Sequence, residues 1–351
     1  MSLAGLLSAK DGPRADYAGK ETAVDYGRPG AEARALLETA AVFDLGWHTA
    51  IRATGSERAE FLQGQLSNDV AALAAGRGCP CLLLNAQGRL LAILSVFNAG
   101  ERFELVTEHA RAAEAGAALE GFLVADDVEL AIDDGAERIG LGGPGAAAVL
   151  AAVGVEAGQP GQPVLSEAVI AGEPCMVLRH SEFREPVYEL VMDGGGERAW
   201  SDLEEAGAMA VGSSAWELMR VMSGVARAGV DVDGSRPALE GRLEWAVHRD
   251  KGCYVGQEVV ERTLSRGRLN RRLCLLSVDG QLEPGAVVSG GSDHDLVTSV
   301  VAVAGQDVLA LAFVPTSLDV PGGRLELVSG SGTNTARVLE WPGRGPGRQA
   351  V

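Results

Sequence analysis

Several features that mark whole classes of protein are scarce in this chain. It has five cysteines in 351 residues, an odd and scattered set that does not suit a small disulfide-stabilised secreted domain. No apolar run approaches the roughly 20 residues that a membrane-spanning helix needs. The apolar patch at residues 3–7 is too short for a signal peptide. We therefore expect a soluble protein of a reducing compartment, the cytoplasm.

Basic residues are also in the minority, with 30 Lys and Arg against 48 Asp and Glu, a formal net charge of −18. A surface of that sign repels phosphate backbones and anionic lipids, which argues against general nucleic-acid or membrane binding. The five histidines are scattered without a His-x-x-x-His spacing, and Cys79-Pro-Cys81 has no second pair nearby to complete a four-ligand site. Walker loops and Gly-x-Ser-x-Gly elbows are missing. The sequence therefore predicts no dedicated metal site.

The chain does contain enough apolar residues, 46%, for a sizeable core, and its length predicts two or three domains. Helical and strand-like segments mix in the first part, whereas the last part consists of short strands between Gly, Pro and Asp turns, which indicates an all-β module. The predicted division is a loose N-terminal segment 1–30, a core 31–266, a β-barrel 267–341 and a disordered tail 342–351.

A literal Gly-x-Gly-x-x-Gly occurs at residues 140–145, between a predicted strand and an Ala-rich helix. Such a loop can hold a dinucleotide when it opens a βαβ unit. No alternating βα repeat follows here, and Pro144 suits the first turn of an ordinary helix. We therefore interpret these glycines as a structural turn.

The most informative stretch is Lys251-Gly-Cys-Tyr-Val-Gly-Gln-Glu258, at the start of a helix predicted from Gly256 to Leu264. A thiol beside a cation and a helix N-terminus loses its proton more easily, and the thiolate is the nucleophilic form. That pattern makes Cys253, with Lys251 beside it, a candidate reactive residue. The alternative is a small buried residue in a tight turn, since free cysteine is commonly buried. The residues alone leave both interpretations open.

This eight-residue stretch resembles the signature of the YgfZ family, folate-binding proteins implicated in iron–sulfur cluster maintenance and tRNA modification. That family is related to the T-protein, the aminomethyltransferase of the glycine cleavage system. T-proteins usually carry another residue where Cys253 stands, so the cysteine points to the YgfZ branch. The resemblance covers about residues 35–340. It implies an α+β protein of three domains, two partly interleaved α+β units and a C-terminal antiparallel β-barrel around a central folate channel.

Glu189 is the most informative single carboxylate. In the predicted strand from Val187 to Val191 it shares a face with those two valines, and an acid on an apolar face needs a partner. A pterin ring offers an amino group and a ring N–H that one carboxylate can accept together. The resemblance implies that role for Glu189. An edge-strand glutamate facing water is the alternative.

The resemblance implies further folate-site residues. Arg220 lies in a run similar to the segment in which an arginine of the relatives lines the site, although an i,i+3 surface pair with Glu217 would also explain it. The loop at Asn85, Gly88 and Arg89 resembles a T-protein loop. The remaining candidate folate contacts, both in the cysteine stretch, are Tyr254 and Gln257.

The same loop carries a departure from the T-protein pattern. T-proteins continue from it to a pair of aspartates, one of them catalytic in aminomethyl transfer. Here Ala92 and Ile93 follow, and neither side chain can position or deprotonate an amine. We therefore expect no glycine-cleavage activity.

Five arginines cluster between residues 262 and 272 of an otherwise acidic chain. A solvated charged face explains them, and so does capture of an anionic group such as a folate polyglutamate tail, because arginine suits planar carboxylates.

The resemblance implies a tetrahydrofolate-binding accessory protein for iron–sulfur protein maturation or repair, with Cys253 as its redox or nucleophilic residue. Its partners would be folate and iron–sulfur client or assembly proteins. A folate-dependent aminomethyl or one-carbon transferase and a non-catalytic folate-binding scaffold are the alternatives.

Overall fold

The computed structural model describes residues 2–133, 135–157, 163–267, 269–302, 308–330 and 332–342, without the side chain of Arg266. Nearly all of the predicted tail therefore lies outside the described residues. The α-helices of the described residues are α1 (Leu3–Ala9), α2 (Pro29–Glu38), α3 (Arg58–Gln65), α4 (His109–Glu120), α5 (Ala146–Ala152), α6 (Gly196–Glu205), α7 (Ser213–Met222) and α8 (Gln257–Arg266).

The strands fall into four sheets, taken here in chain order. They are β1 (Arg14–Tyr17), β2 (Lys20–Ala23), β3 (Ala41–Asp44), β4 (His48–Thr54), β5 (Gly78–Leu84), β6 (Leu90–Asn98), β7 (Phe103–Glu108), β8 (Glu129–Asp133), β9 (Glu137–Gly142), β10 (Val164–Ile170), β11 (Glu173–His180), β12 (Val187–Met192), β13 (Met209–Ala210), β14 (Arg271–Val278), β15 (Val287–Val288), β16 (Val297–Val301), β17 (Val308–Pro315), β18 (Arg324–Ser329) and β19 (Gly332–Val338).

Two of these sheets are interleaved in the sequence. One has the order β10-β11-β12-β9-β3-β13, and the other has the order β5-β6-β7-β4-β8. The chain enters the first sheet at β3, builds the whole second sheet, and returns to the first at β9. The interleaving expected from the resemblance is therefore confirmed, and it brings residues far apart in sequence to the junction of the two sheets.

The C-terminal sheet has the order β15-β18-β19-β14-β17-β16 and is antiparallel throughout. An isolated bridge between Val287 and Leu296 links its two edges, so the sheet curls into a half-barrel. Alternating residues of its strands enclose a separate apolar cluster that includes Leu276, Val297 and Leu327. The predicted all-β module is confirmed.

Strand β12 lies in the interior of its sheet, paired antiparallel with β11 on one side and β9 on the other. Tyr188 and Leu190 pack into a cluster that includes Trp200. Val191, on the opposite face, packs with Phe97 of the second sheet. The predicted alternation is therefore confirmed, and the alternative of an edge strand facing water is wrong.

The expectation of a loose segment 1–30 is corrected by the structure. Leu3 and Leu7 lie one turn apart on α1 and are buried in the cluster around Trp200. Glu137 accepts the backbone N–H of Leu3 at 2.8 Å, which satisfies a free donor at the helix start. A seven-residue helix with two leucines is too short to be recognised from its pattern, because its stability comes from tertiary packing.

The glycines at 140–145 are structural, as predicted: Gly140 and Gly142 lie in β9, and residues 143–145 turn into α5. Strand β9 is antiparallel to both of its neighbours, so no βαβ unit is present there. A Cβ atom on Gly140 would lie 2.1 Å from the ring of Phe43, which explains the glycine by close packing. In the part of the chain that the structure describes, every helix is too short or too polar to cross a bilayer.

Candidate ligand-binding pocket

A narrow pocket lies at the junction of the two interleaved sheets. Strands β4, β6 and β7 contribute one wall, and the turn after β11, helix α7 and the loop after it contribute the other. Its free volume is about 80 Å³. Histidine, acidic, basic and aromatic side chains line it together, among them His48, Glu108, His180, Glu182, Trp216 and Arg227. This mixture of titratable and flat aromatic groups makes it the candidate functional site.

A larger, open cleft of about 530 Å³ is lined mostly by β10 and β11 of the first sheet, with Arg52 and Arg102 of the second sheet on its other side. Both arginines pair with Glu104, a carboxylate that is fully buried. These two arginines are therefore engaged with a buried carboxylate, and we take the narrow pocket as the site.

Directly behind the pocket, Glu189 is fully enclosed and accepts three hydrogen bonds. Arg138 donates to its Oε1, while His48 Nδ1 and His180 Nε2 contact its Oε2 at 2.9 and 2.8 Å. Burial alone would raise the pKa of this carboxyl, but its interactions with His48, Arg138 and His180 hold the pKa well below the ordinary value. The partner that an acid on an apolar strand face needs is thus supplied by the protein. A direct pterin contact by Glu189 stays a prediction.

His180 links this buried carboxylate to a second one that lines the pocket. Its Nδ1 contacts Glu182 Oε1 at 3.1 Å, and Glu182 Oε2 accepts the backbone N–H of Ser181 at 2.9 Å. Burial would lower the pKa of His180, but Glu182 and Glu189 raise it to about 10. Burial would likewise raise the pKa of Glu182, but His180 lowers it to about 2. The ring is therefore an imidazolium held between two carboxylates.

His48, His180 and Glu189 bring their ligand atoms within 4.8 Å of one another, as the ligands of a metal ion would. The bonds just described argue for a hydrogen-bonded cluster instead. Both nitrogens of His180 are directed at carboxylates, and Arg138 already neutralises Glu189. An imidazolium has no lone pair to give a cation.

A second charged group closes the other side of the pocket. Arg227 donates to Glu108 at 2.7 and 3.2 Å and to Glu217 at 3.3 Å. Its guanidinium lies over the ring of Tyr17, 4.2 Å from the centroid, and the Tyr17 hydroxyl donates to Glu217. Glu108, the carboxylate on this wall, is therefore paired with a cation.

Arg220 lines the pocket, and it is not the surface pair considered as the alternative. Its side chain is only 2% exposed. Nε and Nη2 donate to Glu217, Nη1 donates to Asp231 and to the Val225 carbonyl, and Nη2 also donates to Ser299. All five N–H groups are used, so Arg220 ties α7 to the half-barrel. A ligand contact by Arg220 stays a prediction, and it requires one of these bonds to open.

The predicted loop residues lie away from the pocket, where the β5–β6 hairpin packs on the start of α8. Asn85 Oδ1 accepts the backbone N–H of Arg89 at 3.0 Å and shapes the turn. A Cβ atom on Gly88 would lie 2.7 Å from the Cβ of Val259, and one on Gly256 would lie 2.7 Å from the Asn85 carbonyl oxygen. These residues form a docking contact. For Arg89, an isolated bridge joins its backbone to Pro237.

The cysteine stretch lies beside this hairpin. The Lys251 side chain is buried, and its Nζ donates to the carbonyls of Gln63 and Leu66 at the end of α3. Burial lowers the pKa of this amine. Cys253 is exposed, so the alternative of a buried packing cysteine is wrong. The exposure fits a reactive thiol, although the Lys251 ammonium donates its hydrogen bonds to carbonyl oxygens.

Tyr254 and Gln257 occupy different settings in the same stretch. Tyr254 is buried, its ring lies 5.0 Å from the Lys251 ammonium, and burial raises the pKa of its hydroxyl. Its hydroxyl has no hydrogen-bond partner among the described residues. Gln257 is half-buried as the first residue of α8. Neither lines the pocket, and their folate contacts stay predictions.

The arginine cluster is largely neutralised by intramolecular ion pairs. Arg262 pairs with Glu258 one turn earlier, and Arg272 pairs with Glu244 at 2.7 Å. Arg271 contacts Asp295 at 3.0 Å. Arg268 and the side chain of Arg266 lie outside the described residues. For the three described side chains, the solvated and paired face explains the charge better than anion capture does.

Sequence reasoning missed His48, Arg138, His180 and Glu182. Helical spacing does not reveal His48 and His180, which are 132 positions apart, because only the interleaved sheets bring them together. A usable signal was present at Glu189: a buried acid requires cationic or hydrogen-bonding partners, and the neighbouring strands were the place to seek them.

Comparisons with known proteins agree with this architecture. The chain is 27% identical over 333 residues to an aminomethyltransferase of Nostoc sp., covering 89% of this chain and 86% of the relative. It is 27% identical over 322 residues to an aminomethyltransferase of Synechococcus sp., covering 85% and 88%.

The crystal structure of glycine cleavage system aminomethyltransferase T from Bartonella henselae superposes with a TM-score of 0.86 at 22% identity, covering 97% of this chain and 96% of that one. This likeness confirms the α+β fold. The GCVT N-terminal domain family matches residues 6–251, more than two thirds of the sequence. The chain therefore belongs to the GCVT N-terminal domain family.

Proposed function

We propose that this protein binds a tetrahydrofolate derivative in the narrow pocket and acts as a folate-dependent one-carbon transferase. The observation that carries the proposal is the pocket itself, in which acids, two histidines and aromatic rings converge at the junction of the two sheets of a GCVT-type fold. The aminomethyltransferase names of its relatives support the same class.

The residues present suit a pterin. Glu182 and His48 keep 14% and 12% of their side chains exposed, so each can meet the donors and acceptors at the edge of the ring. Trp216 and Phe183 offer flat apolar surface beside them. Because a free volume of about 80 Å³ is small for a bicyclic ring, side chains at the mouth must move when the ligand binds. Bound tetrahydrofolate would supply the nitrogen that carries a one-carbon unit.

Glycine-cleavage chemistry is not part of the proposal. Ala92 is fully buried, and Ile93 lines the pocket with an apolar side chain. Neither can hold or deprotonate an aminomethyl group. We expect no ammonia release above background from aminomethylated carrier protein and tetrahydrofolate. Clear turnover in that assay would establish an aminomethyltransferase.

Calorimetric titration with reduced tetrahydrofolate tests the binding proposal. We expect saturable one-to-one binding by the wild-type protein. Trp216→Leu should weaken it, and Trp341→Leu serves as a matched control outside the pocket lining. Lack of heat and of protection against thermal unfolding at millimolar ligand would refute folate binding.

A second candidate function rests on the exposed thiol. Assignment to the YgfZ branch, with Cys253 serving iron–sulfur protein maturation or tRNA modification, is supported by the eight-residue stretch and by the exposure of Cys253. Rescue of iron–sulfur enzyme activity in cells lacking the native protein tests it. Cys253→Ala should abolish rescue while leaving folate affinity intact. Full rescue by this variant would favour the folate transferase or a scaffold.

A further inference from the structure

His48 differs from the other titratable side chains around the pocket. Its Nδ1 contacts Glu189 at 2.9 Å, whereas its Nε2 has no hydrogen-bond partner among the described residues. The ring is fixed by its neighbours, with centroids 6.3 Å from Trp216 at 80° and 5.7 Å from His180 at 59°. The side chain lines the pocket. A histidine whose ring is fixed through one nitrogen and whose other nitrogen has no protein partner is suited to contact a ligand.

The other titratable groups of the pocket are engaged inside the protein. Glu108 is paired with Arg227, and both nitrogens of His180 contact carboxylates. Arg220 has no N–H group left. Ile93, after the loop that resembles a T-protein loop, contributes only an apolar side chain to the wall. His48 is therefore the group in this pocket best able to take a proton.

The contact with Glu189 defines which nitrogen of His48 carries a proton. A carboxylate only accepts hydrogen bonds, so Nδ1 donates to Glu189 Oε2. A neutral ring that donates from Nδ1 keeps its lone pair on Nε2.

We propose that His48 Nε2 accepts a proton from the amine of a substrate or folate bound in the narrow pocket, and that Glu189 is the positioning residue that fixes this tautomer through Nδ1. This inference rests on the proposed function for its ligand. The N–H bond that breaks is that of a protonated amine, its electron pair stays on nitrogen, and the proton moves to Nε2. The imidazolium that forms lies beside the carboxylate of Glu189, and the neutral amine that remains has a lone pair with which it can act as a nucleophile.

Charged groups approach His48 from several elements. They are Glu189 on β12, His180 on β11, Glu182 in the following turn, Arg138 on β9, Glu108 on β7, Arg111 on α4, Arg220 on α7 and Arg227 in the loop after α7. Several of them are paired with one another.

Nitrogen-15 NMR of imidazole-labelled protein tests the positioning without any ligand. We expect His48 at neutral pH with Nδ1 protonated and Nε2 bare, and we expect Glu189→Gln to give a mixture of tautomers. His294→Gln, which removes an exposed histidine of the half-barrel, assists assignment and should leave the His48 signal unchanged. A proton on Nε2 of wild-type His48 at neutral pH would overturn the inference.

Tetrahydrofolate binding by calorimetry, from acid to neutral pH, tests the ligand contact. His48→Asn keeps a donor amide near the position of Nδ1 but removes Nε2, and it should lower affinity by about tenfold, the scale of one hydrogen bond. It should also abolish the weakening of binding that protonation of His48 causes in the wild type at acid pH. Wild-type affinity and pH dependence in His48→Asn would overturn the inference, whereas a wild type that does not bind would overturn the proposed function.

Discussion

Arg138 donates to Glu189 where both side chains are closed to solvent, with exposed fractions of 2% and 0%. The pair joins β9 to β12 diagonally, because Arg138 is in register with Val191 and Glu189 with Gly140, and it supports the two histidines in front of it. A carboxylate in that position contributes to stability only while its cationic partner remains, because an unpaired buried charge is costly.

Arg138→Met should therefore lower the free energy of unfolding by about 3 kcal/mol, at the lower end for a broken buried pair since two histidines still contact Glu189. Arg198→Met is the matched control, because Arg198 is 70% exposed and pairs with an exposed Glu173. That change should stay within about 0.5 kcal/mol. Urea unfolding measures both. Equal effects would contradict the buried network.

The pH dependence of stability should show two limbs from the pair of Glu182 and His180. The pKa of Glu182 is lowered to about 2, so its stabilisation is present above its unfolded value and is lost as pH falls from about 5 toward 2. The pKa of His180 is raised to about 10, so its contribution is complete below about 6.5 and is lost as pH rises toward 10. Stability from this pair should peak between about pH 5 and 6.5.

Glu182→Gln isolates the acid limb. The difference in unfolding free energy from the wild type should be largest near pH 6 and should shrink as pH falls, because the protonated wild type comes to resemble the amide. Glu258→Gln changes a carboxyl that is 84% exposed and should give a small, nearly flat difference. Denaturant unfolding from pH 3 to 9 measures these differences. A difference between Glu182→Gln and the wild type that does not vary with pH would contradict the pairing.

Glu189→Gln should weaken tetrahydrofolate binding by about 1.5–3 kcal/mol, the scale of a hydrogen bond to a charged group. A loss of this size is expected if the carboxylate meets the pterin directly. Calorimetry measures it, with circular dichroism to confirm folding. Unchanged affinity in a folded Glu189→Gln protein would remove this carboxylate from the site.

Cys253 should be alkylated first among the five cysteines. It is exposed, whereas Cys81, Cys175 and Cys274 are buried, and burial raises the pKa of each of those three thiols. Cys79, half-buried, should come second. Peptide mapping after brief treatment with iodoacetamide at neutral pH gives the order. Faster labelling of any buried cysteine in the folded protein would contradict the structure.

Gly88→Ala should destabilise the hairpin contact by about 2–4 kcal/mol, since it adds left-handed backbone strain and pushes a Cβ against Val259. Gly100→Ala is the matched control: Gly100 has a φ of +82° and no atom within 4 Å of its Cβ position. Its cost should be about 1 kcal/mol, from backbone strain alone. Thermal unfolding compares the two, and equal losses would argue against tight docking of the hairpin on α8.

Local patterns predicted much of this fold. The hairpin at Asn85, the inward face of β12 and the β module after residue 268 follow from alternation and turn residues, which act over a few positions. The resemblance added the interleaving, which no local pattern contains. The N-terminal helix was not predicted, because Leu3 and Leu7 are stabilised by packing in the cluster around Trp200, far along the chain.

The site was predicted less completely, for a physical reason. Glu189 was recognised as an acid that needs partners, but its three partners stand on three other strands. The cysteine stretch could be recognised because it is a contiguous motif, whereas the pocket is assembled from single residues of many elements. Spacing along the sequence reveals contiguous motifs but does not reveal a site built from residues that are far apart.

The interleaving of the two sheets has a consequence for synthesis on the ribosome. Strand β3 leaves the exit tunnel long before its neighbours β9 and β13, while every strand of the second sheet is complete by residue 133. The second sheet can therefore form first during translation, while β3 remains unpaired until β9 is available. A nascent chain long enough for residue 133 to have left the exit tunnel should already protect the amides of β4 to β7 from exchange, whereas β3 should gain protection only after β9 has also left the tunnel.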